Sequence, residues 1–261
     1  MITDEHKGIL FAESESRTLV DWVKYFDNQY SYNTLYSFCY RNKLKTKPRS
    51  KEEISKQQSQ NARKWNINQD YFKTWSRNMA YMFGFWCADG CMYNGRVFDI
   101  TVQNKDKYII KQFAKELGYE GPILDYVDRQ ACRINFSCYV IYNDLKALGG
   151  EECKSKTIKF PNVPKEYLSD FIRGYFDGDG SVYDVQGGRI NSAFTCASMD
   201  FLNSLWNLLK TEAGIEGGSY DHTSYTLKFG KKDSIKLAQF IYKDDPELFL
   251  LRKREKFNKI L

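Results

Sequence analysis

YMFGFWCADG occupies residues 81–90, and FIRGYFDGDG occupies residues 171–180, ninety positions further along a chain of 261 residues. Both segments set small residues four apart, Gly84 with Ala88 and Gly174 with Gly178. On a helix such positions share one face, and small side chains there let two backbones approach closely. Bulky Phe83, Phe85, Trp86, Tyr175 and Phe176 are expected to pack into cores on either side. Each segment ends in Asp-Gly, at Asp89-Gly90 and Asp179-Gly180. The glycines are expected to adopt the left-handed turn that closes a helix. An aspartate in the last helical turn faces the negative end of the helix dipole, and two such aspartates on packed helices repel each other. One Asp-Gly alone reads as a plain helix end. Two at matching places in a repeat favour a divalent cation held beside the carboxylates.

The segments downstream of each copy also correspond. After the first come an alternating stretch (96–103), an apolar-striped helix (108–117), a strand pair (123–127, 131–138) and a helix (140–148). After the second come a strand (189–197), a helix (201–212), strands (219–222, 225–229), a helix (234–242) and a final basic helix (246–260). Each half reads αββαββα, an α+β layout with helices covering one face of an antiparallel sheet. In the strands, Phe98, Ile100, Val102, Cys132, Ile134, Phe136, Ile190, Phe194, Tyr225, Leu227 and Phe229 alternate with polar residues. The polar set is Asp99, Thr101, Gln103, Arg133, Asn135 and Ser137 in the first half, and Arg189, Asn191, Thr195, Thr226 and Lys228 in the second. Period-two alternation puts that set on an exposed face, where such groups can read base edges in a major groove.

Composition narrows the chemistry. The chain has only two histidines, His6 and His222, which argues against His-ligated zinc and paired-His nuclease sites, and any catalysis is expected to rest on carboxylates, lysines or tyrosines. The seven cysteines form no CxxC pair, which argues against a disulfide framework or structural zinc. The longest apolar segment, 79–88, is too short to span a bilayer, and the N-terminal sequence lacks a signal-peptide pattern, so an intracellular, non-secreted protein is expected. The net charge of +6 is uneven: residues 1–80 hold 14 Lys/Arg against 9 Asp/Glu, whereas residues 81–261 hold 25 against 24. A concentrated basic segment points to a polyanion partner, or to a solvated linker.

That segment follows two short expected helices within residues 15–47. The first carries Leu19, Val20, Trp22, Val23 and Phe26; the second, capped by Asn33, carries Leu35, Tyr36, Phe38, Cys39 and Tyr40. Two helices with a turn and a basic exit give the outline of a helix-turn-helix. The expected organisation is a helical module (1–48), a polar linker (49–71) and two halves (72–153 and 154–261).

The repeated motif resembles that of the LAGLIDADG homing endonucleases in their single-chain, two-motif form. The matching positions are Gly84, Ala88, Asp89 and Gly90, then Gly174, Asp177, Gly178, Asp179 and Gly180, and the stretch from Lys154 through Pro161 and Pro164 to Phe171 is similar to the family's inter-domain passage. Cys87 departs from the pattern, at a position that is structural in the family. The resemblance covers about residues 72–261 and implies two pseudo-symmetric halves with saddle-shaped sheets around two central packed helices. It implies a monomer that makes a double-strand cut at a long DNA target. Asp89 and Asp179 would hold Mg²⁺, with Mn²⁺ able to substitute, the carbonyls of Ala88 and Gly178 would assist as ligands, and Lys154 and Lys253 would be the peripheral catalytic lysines. A non-cleaving protein on the same scaffold, an intron-RNA maturase or a transcription regulator, is the alternative. The chain shows neither the Cys/Ser start nor the His-Asn end of an intein, so an intron-encoded or free-standing gene is expected.

Overall fold

The computed structural model describes residues 2–48, 50, 65–185 and 189–261. The chain divides into two compact units, Met1–Gln58 and Ser59–Leu261.

Among its described residues the first unit holds α1 (Asp4–Glu13), α2 (Leu19–Tyr25) and α3 (Tyr32–Arg41), where the apolar pattern marks only the latter two. The extra helix starts at Thr3, whose side chain accepts from the His6 amide. Thr18 and Asp21 form a reciprocal capping box on α2, and α3 is capped by Ser31 rather than Asn33. Ile2, Leu10, Trp22, Phe26, Tyr30, Leu35, Phe38 and Cys39 make a core. Tyr36 and Tyr40, expected in the apolar stripe, stand exposed on the opposite side of α3. Most of the expected linker, residues 49 and 51–64, lies outside the described residues. Asn66 and Asn68 already bond to the first half, through Glu120 (2.8 Å) and the Leu117 carbonyl (2.7 Å).

The second unit contains the two αββαββα halves. The first runs α4 (Arg77–Asp89), β1 (Gly90–Tyr93), β2 (Val97–Gln103), α5 (Lys107–Glu116), β3 (Leu124–Tyr126), β4 (Ala131–Ser137) and α6 (Tyr139–Ala147). The second runs α7 (Leu168–Asp179), β5 (Gly180–Val185), β6 (Arg189–Thr195), α8 (Met199–Ala213), β7 (Ser219–Asp221), β8 (Thr226–Phe229) and α9 (Lys231–Ile241), and α10 (Leu251–Asn258) follows. The antiparallel sheets are ordered β1-β2-β4-β3 and β5-β6-β8-β7. Their registers match across the repeat, since Gly90 pairs with Ile100 as Gly180 pairs with Phe194.

Helices α4 and α7 cross at their small residues. A β-carbon on Gly174 would meet the Tyr81 carbonyl oxygen at 2.0 Å, and one on Gly178 would meet the Ala88 β-carbon at 2.3 Å. The glycines that end these helices do not take the expected left-handed turn. Gly90 (φ −85°, ψ 159°) and Gly180 (φ −84°, ψ 160°) are extended, so each helix passes straight into a strand. Glycine is needed there for room: a β-carbon would lie 2.2 Å from the Trp86 ring or 2.3 Å from the Phe176 ring. A buried Arg173 on α7 donates to the carbonyls of Ile241 (2.9 Å) and Leu248 (2.8 Å) and pairs with Asp170 (2.8 Å), which ties the C-terminal segment to the central helix.

Candidate active site

The crossing of α4 and α7 brings their C-terminal aspartates together. Asp89 lies within contact distance of Gly178, whose β-carbon, if present, would stand 3.4 Å from an Asp89 carboxylate oxygen. Asp89 lines a cleft of about 400 Å³ with Gln103, Lys105, Asp106, Asp177, Gly178 and Arg252. Protein mass around that cleft strips water from its carboxylate and Asp179 adds like charge, so its pKa rises to about 6. Burial raises the Asp179 pKa as well, with Lys154 and Lys253 opposing. Among the described residues, neither Asp89 nor Asp179 accepts a hydrogen bond or forms an ion pair. Two neighbouring carboxylates held partly out of water can be neutralised by a proton or by a cation. Their oxygens, with the carbonyls of Ala88 and Gly178 nearby, form a hard donor set that fits Mg²⁺ or a similar ion. Among the described residues there is no cluster of three or more His, Cys, Asp or Glu placed to bind a metal, so a cation here would rest on the carboxylate pair supplemented by backbone.

The two lysines, Lys154 and Lys253, occupy equivalent places and are buried. Lys154 donates to the Gly90 carbonyl with its Nζ 4.9 Å from the Trp86 ring centroid. Lys253 donates to the equivalent Gly180 carbonyl (2.6 Å) with its Nζ 5.4 Å from the equivalent Phe176 ring. Lys253 also reaches the carbonyls of Phe176 (2.7 Å), Asp177 (2.6 Å) and, more weakly, Gly178 (3.3 Å). The ammonium thus supplements the capping of the end of α7, where the Phe176 oxygen also accepts from the Gly180 amide. Burial lowers both lysine pKa values, that of Lys253 to about 8, with nearby carboxylates holding it up.

The halves differ at one buried position. Asp177 accepts from the Tyr81 hydroxyl (2.8 Å) and from the Leu250 amide at the start of α10 (2.7 Å), while among the described residues its other oxygen has no partner. Burial raises its pKa to about 6. Cys87 takes the equivalent place in α4 and is likewise buried. Arg252, which no sequence pattern singles out beside Lys253, pairs with the buried Asp106 at 3.0 Å and lines the cleft. Lys105, equally unforeseen, also lines the cleft. Nothing in the chain marks these residues, because folding alone brings the end of β2 against α10.

On the first sheet, Thr101, Gln103 and Ser137 are exposed, and Arg133 and Asn135 are half-buried on the same face. Asp99 is a correction: it is 3% exposed, covered by Arg133, which bonds directly to its carboxylate, and by Asn135 at 3.0 Å. Tyr93 also takes bonds from Arg133 (3.0 Å) and Asn135 (3.2 Å), so Asp99 orients the outer groups and does not reach outward itself. On the second sheet, Arg189 and Thr195 are exposed, Asn191 is half-buried, and Lys228 pairs with Asp221 at 2.7 Å. Thr226 is a second correction, buried with its hydroxyl on the Ser224 carbonyl (2.9 Å). Tyr225, expected in the core, is exposed because it sits in the turn at φ 52°. All seven cysteines are free, and among the described residues no helix is long and apolar enough to cross a membrane.

Residues 166–241 match the model of the LAGLIDADG-like domain family. A probable translation initiation factor IF-2 of Thermococcus kodakarensis is 39% identical over 83 residues, 30% of this chain and 7% of that protein. Elongation factor 2 of Methanopyrus kandleri is 28% identical over 139 residues, 51% of this chain and 10% of that protein. The chain thus spans a tenth or less of these curated relatives. Among solved structures, the homing endonuclease I-WcaI bound to its DNA recognition sequence is similar with a TM-score of 0.52 and 13% identity, covering 72% of this chain and 91% of that one. The LAGLIDADG homing endonuclease I-GzeII in complex with its DNA target has a TM-score of 0.50 and 13% identity, covering 71% of this chain and 88% of that one. The protein therefore carries a LAGLIDADG-like domain within the two-halved fold of the LAGLIDADG homing endonucleases.

Proposed function

We propose that the protein is a site-specific endonuclease that binds duplex DNA across its two sheets and cuts both strands at the ends of α4 and α7. The observation that carries this reading is the pair of carboxylates, Asp89 and Asp179, adjacent, partly desolvated and without protein partners among the described residues. Asp89 and Asp179, with the Ala88 and Gly178 carbonyls, would hold divalent cations. Bound there, Mg²⁺ or Mn²⁺ would polarise the scissile phosphates and lower the pKa of an attacking water.

The chain's own groups set the stage for that step. Lys253 and Lys154 pin the carbonyls next to each carboxylate and supply positive potential close to where phosphate charge develops. Arg252 and Lys105 add cationic groups to the cleft wall. Thr101, Gln103, Arg133, Asn135 and Ser137 would read one half of the target, and Arg189, Asn191, Thr195 and Lys228 the other. The binding would weaken steeply with salt, as phosphate-driven association does. One chain supplies both halves, which favours action as a monomer on DNA inside the cell. Residues 1–48, with their basic exit, would make a second, helix-turn-helix-like DNA contact.

A cleavage screen against a randomised duplex library in Mg²⁺ tests the reading. A defined double-strand cut is expected. Tight metal-independent binding to structured intron RNA, with no cut in any duplex, would replace the endonuclease by a maturase.

A further inference from the structure

The first unit carries a surface its core does not require. Tyr32, Tyr36 and Tyr40 follow one another at four-residue steps on one side of α3. The rings of Tyr32 and Tyr36 stack at 6.4 Å and 7°, and those of Tyr36 and Tyr40 at 6.1 Å and 18°. Exposure rises along the row, from 43% through 50% to 75%. Leu35, Phe38 and Cys39 fill the core from the other side of the same helix, so the tyrosines are not packing residues displaced outward. Among the described residues, none of the three hydroxyls has a hydrogen-bond partner.

Charge tells what could cover this row. From Tyr32 to Lys47 the chain holds four basic residues, Arg41, Lys43, Lys45 and Lys47, and no acidic one. The six acidic residues of the first 48 all precede Asn28. The basic exit is held in place, since the Lys47 amide bonds to the Arg17 carbonyl at 3.0 Å. A partner must therefore be a polyanion that also offers apolar and hydrogen-bonding edges, which describes nucleic acid.

The helix that carries the row suits a groove. The three rings lie nearly parallel, 6.1 to 6.4 Å apart, along one side of α3. Exposed ring atoms there can touch thymine methyls while the hydroxyls meet base acceptors. The eight-residue span of the row rises about 12 Å along the helix, and the major groove, about 12 Å wide, admits a helix.

We propose that Tyr32, Tyr36 and Tyr40 form the base-reading face of the N-terminal unit, lying in the major groove of duplex DNA with Lys43, Lys45 and Lys47 on flanking phosphates. This rests on the reading of residues 1–48 as a DNA contact and names the face and the partner's form. The test uses the full chain, compared with Tyr32→Ser/Tyr36→Ser/Tyr40→Ser, after thermal unfolding shows that both are folded. Each protein selects binders from a randomised duplex library. The wild type is expected to select a core block plus a short separate block. The triple variant keeps the core block, loses the separate one and binds the wild-type consensus at least about tenfold more weakly. Lys43→Gln/Lys45→Gln/Lys47→Gln is expected to keep both blocks while flattening the salt dependence. A tyrosine variant that selects both blocks with unchanged affinity overturns this inference alone. Tyrosine-dependent preference for a single-stranded oligonucleotide over the duplex overturns it also. A wild type that selects no duplex at all overturns it together with the reading on which it rests.

Discussion

Gly84 packs directly on the carbonyl oxygen of Phe171: a β-carbon on Gly84 would stand 2.0 Å from that oxygen, closer than atoms can approach. Gly174 makes the reciprocal contact with Tyr81. The position of the two aspartates follows from this crossing, because both helices reach their Asp-Gly ends a turn or so beyond it.

Adding a methyl group at either glycine must push backbone against backbone. Gly84→Ala and Gly174→Ala are each expected to destabilise the second unit by about 3 kcal/mol or more. Gly8, on α1, is the contrast, since a β-carbon there would have nothing within 4 Å. Gly8→Ala is expected to stabilise the first unit by up to about 1 kcal/mol. Denaturant unfolding of the three variants checks both signs.

Lys253 supports four carbonyls at the end of α7 and is 3% exposed. Lys253→Met keeps most of its volume but leaves those oxygens without the ammonium donor. A loss of about 2–4 kcal/mol is expected, along with displacement of Asp179 and loss of cutting. Lys256, whose Nζ meets only the Val182 carbonyl (3.0 Å) among the described residues, is expected to tolerate the same change with under about 1 kcal/mol.

The carboxylates predict an unusual pH dependence. Asp89 moves from an ordinary 3.8 to about 6 in the folded protein. Between those values the folded protein binds more protons than the unfolded chain, so stability falls as pH rises through that window. Asp177 acts in the same direction. Without divalent cation, the melting temperature is expected to be higher near pH 5 than at pH 7. Asp89→Asn should raise stability at pH 7 by an amount on the order of 1 kcal/mol, discounted for the solvent that reaches the residue. Mg²⁺ should stabilise the wild type and not the Asp89→Asn/Asp179→Asn protein.

Asp99 beneath Arg133 gives a prediction about recognition. Asp99→Ala removes the carboxylate that holds the guanidinium and leaves it the Tyr93 and Tyr126 hydroxyls. It is expected to cost about 1–3 kcal/mol of stability and to weaken discrimination at the base pairs Arg133 meets. Thr101→Ala, at an exposed position on the same face, should alter base preference with stability unchanged within about 0.5 kcal/mol. Parallel selection and unfolding experiments separate the two effects.

What the sequence reveals follows its periodicities. The repeated small-residue spacing locates the helix crossing, and the alternation locates both sheet faces. Period two cannot distinguish an outward aspartate from one folded under a neighbouring arginine, so it puts Asp99 on the wrong side of Arg133. Helix periodicity misses α1 because its apolar residues are few and its stability comes from a Thr3 cap and from Leu10 packing in the core. Gly90 and Gly180 announce a helix end correctly, yet the reason lies in the Trp86 and Phe176 rings, which only packing reveals. Arg252 and Asp106 are 146 positions apart, and nothing local links them.

The central claim is that Asp89 and Asp179 together support cutting of the two DNA strands. Strand-resolved cleavage of a target duplex in Mg²⁺, measured for the wild type, Asp89→Asn and Asp179→Asn, tests it most directly. Both strands cut by the wild type, with cutting abolished in either variant while DNA affinity persists, is the predicted result; wild-type cleavage rates in either variant would contradict it.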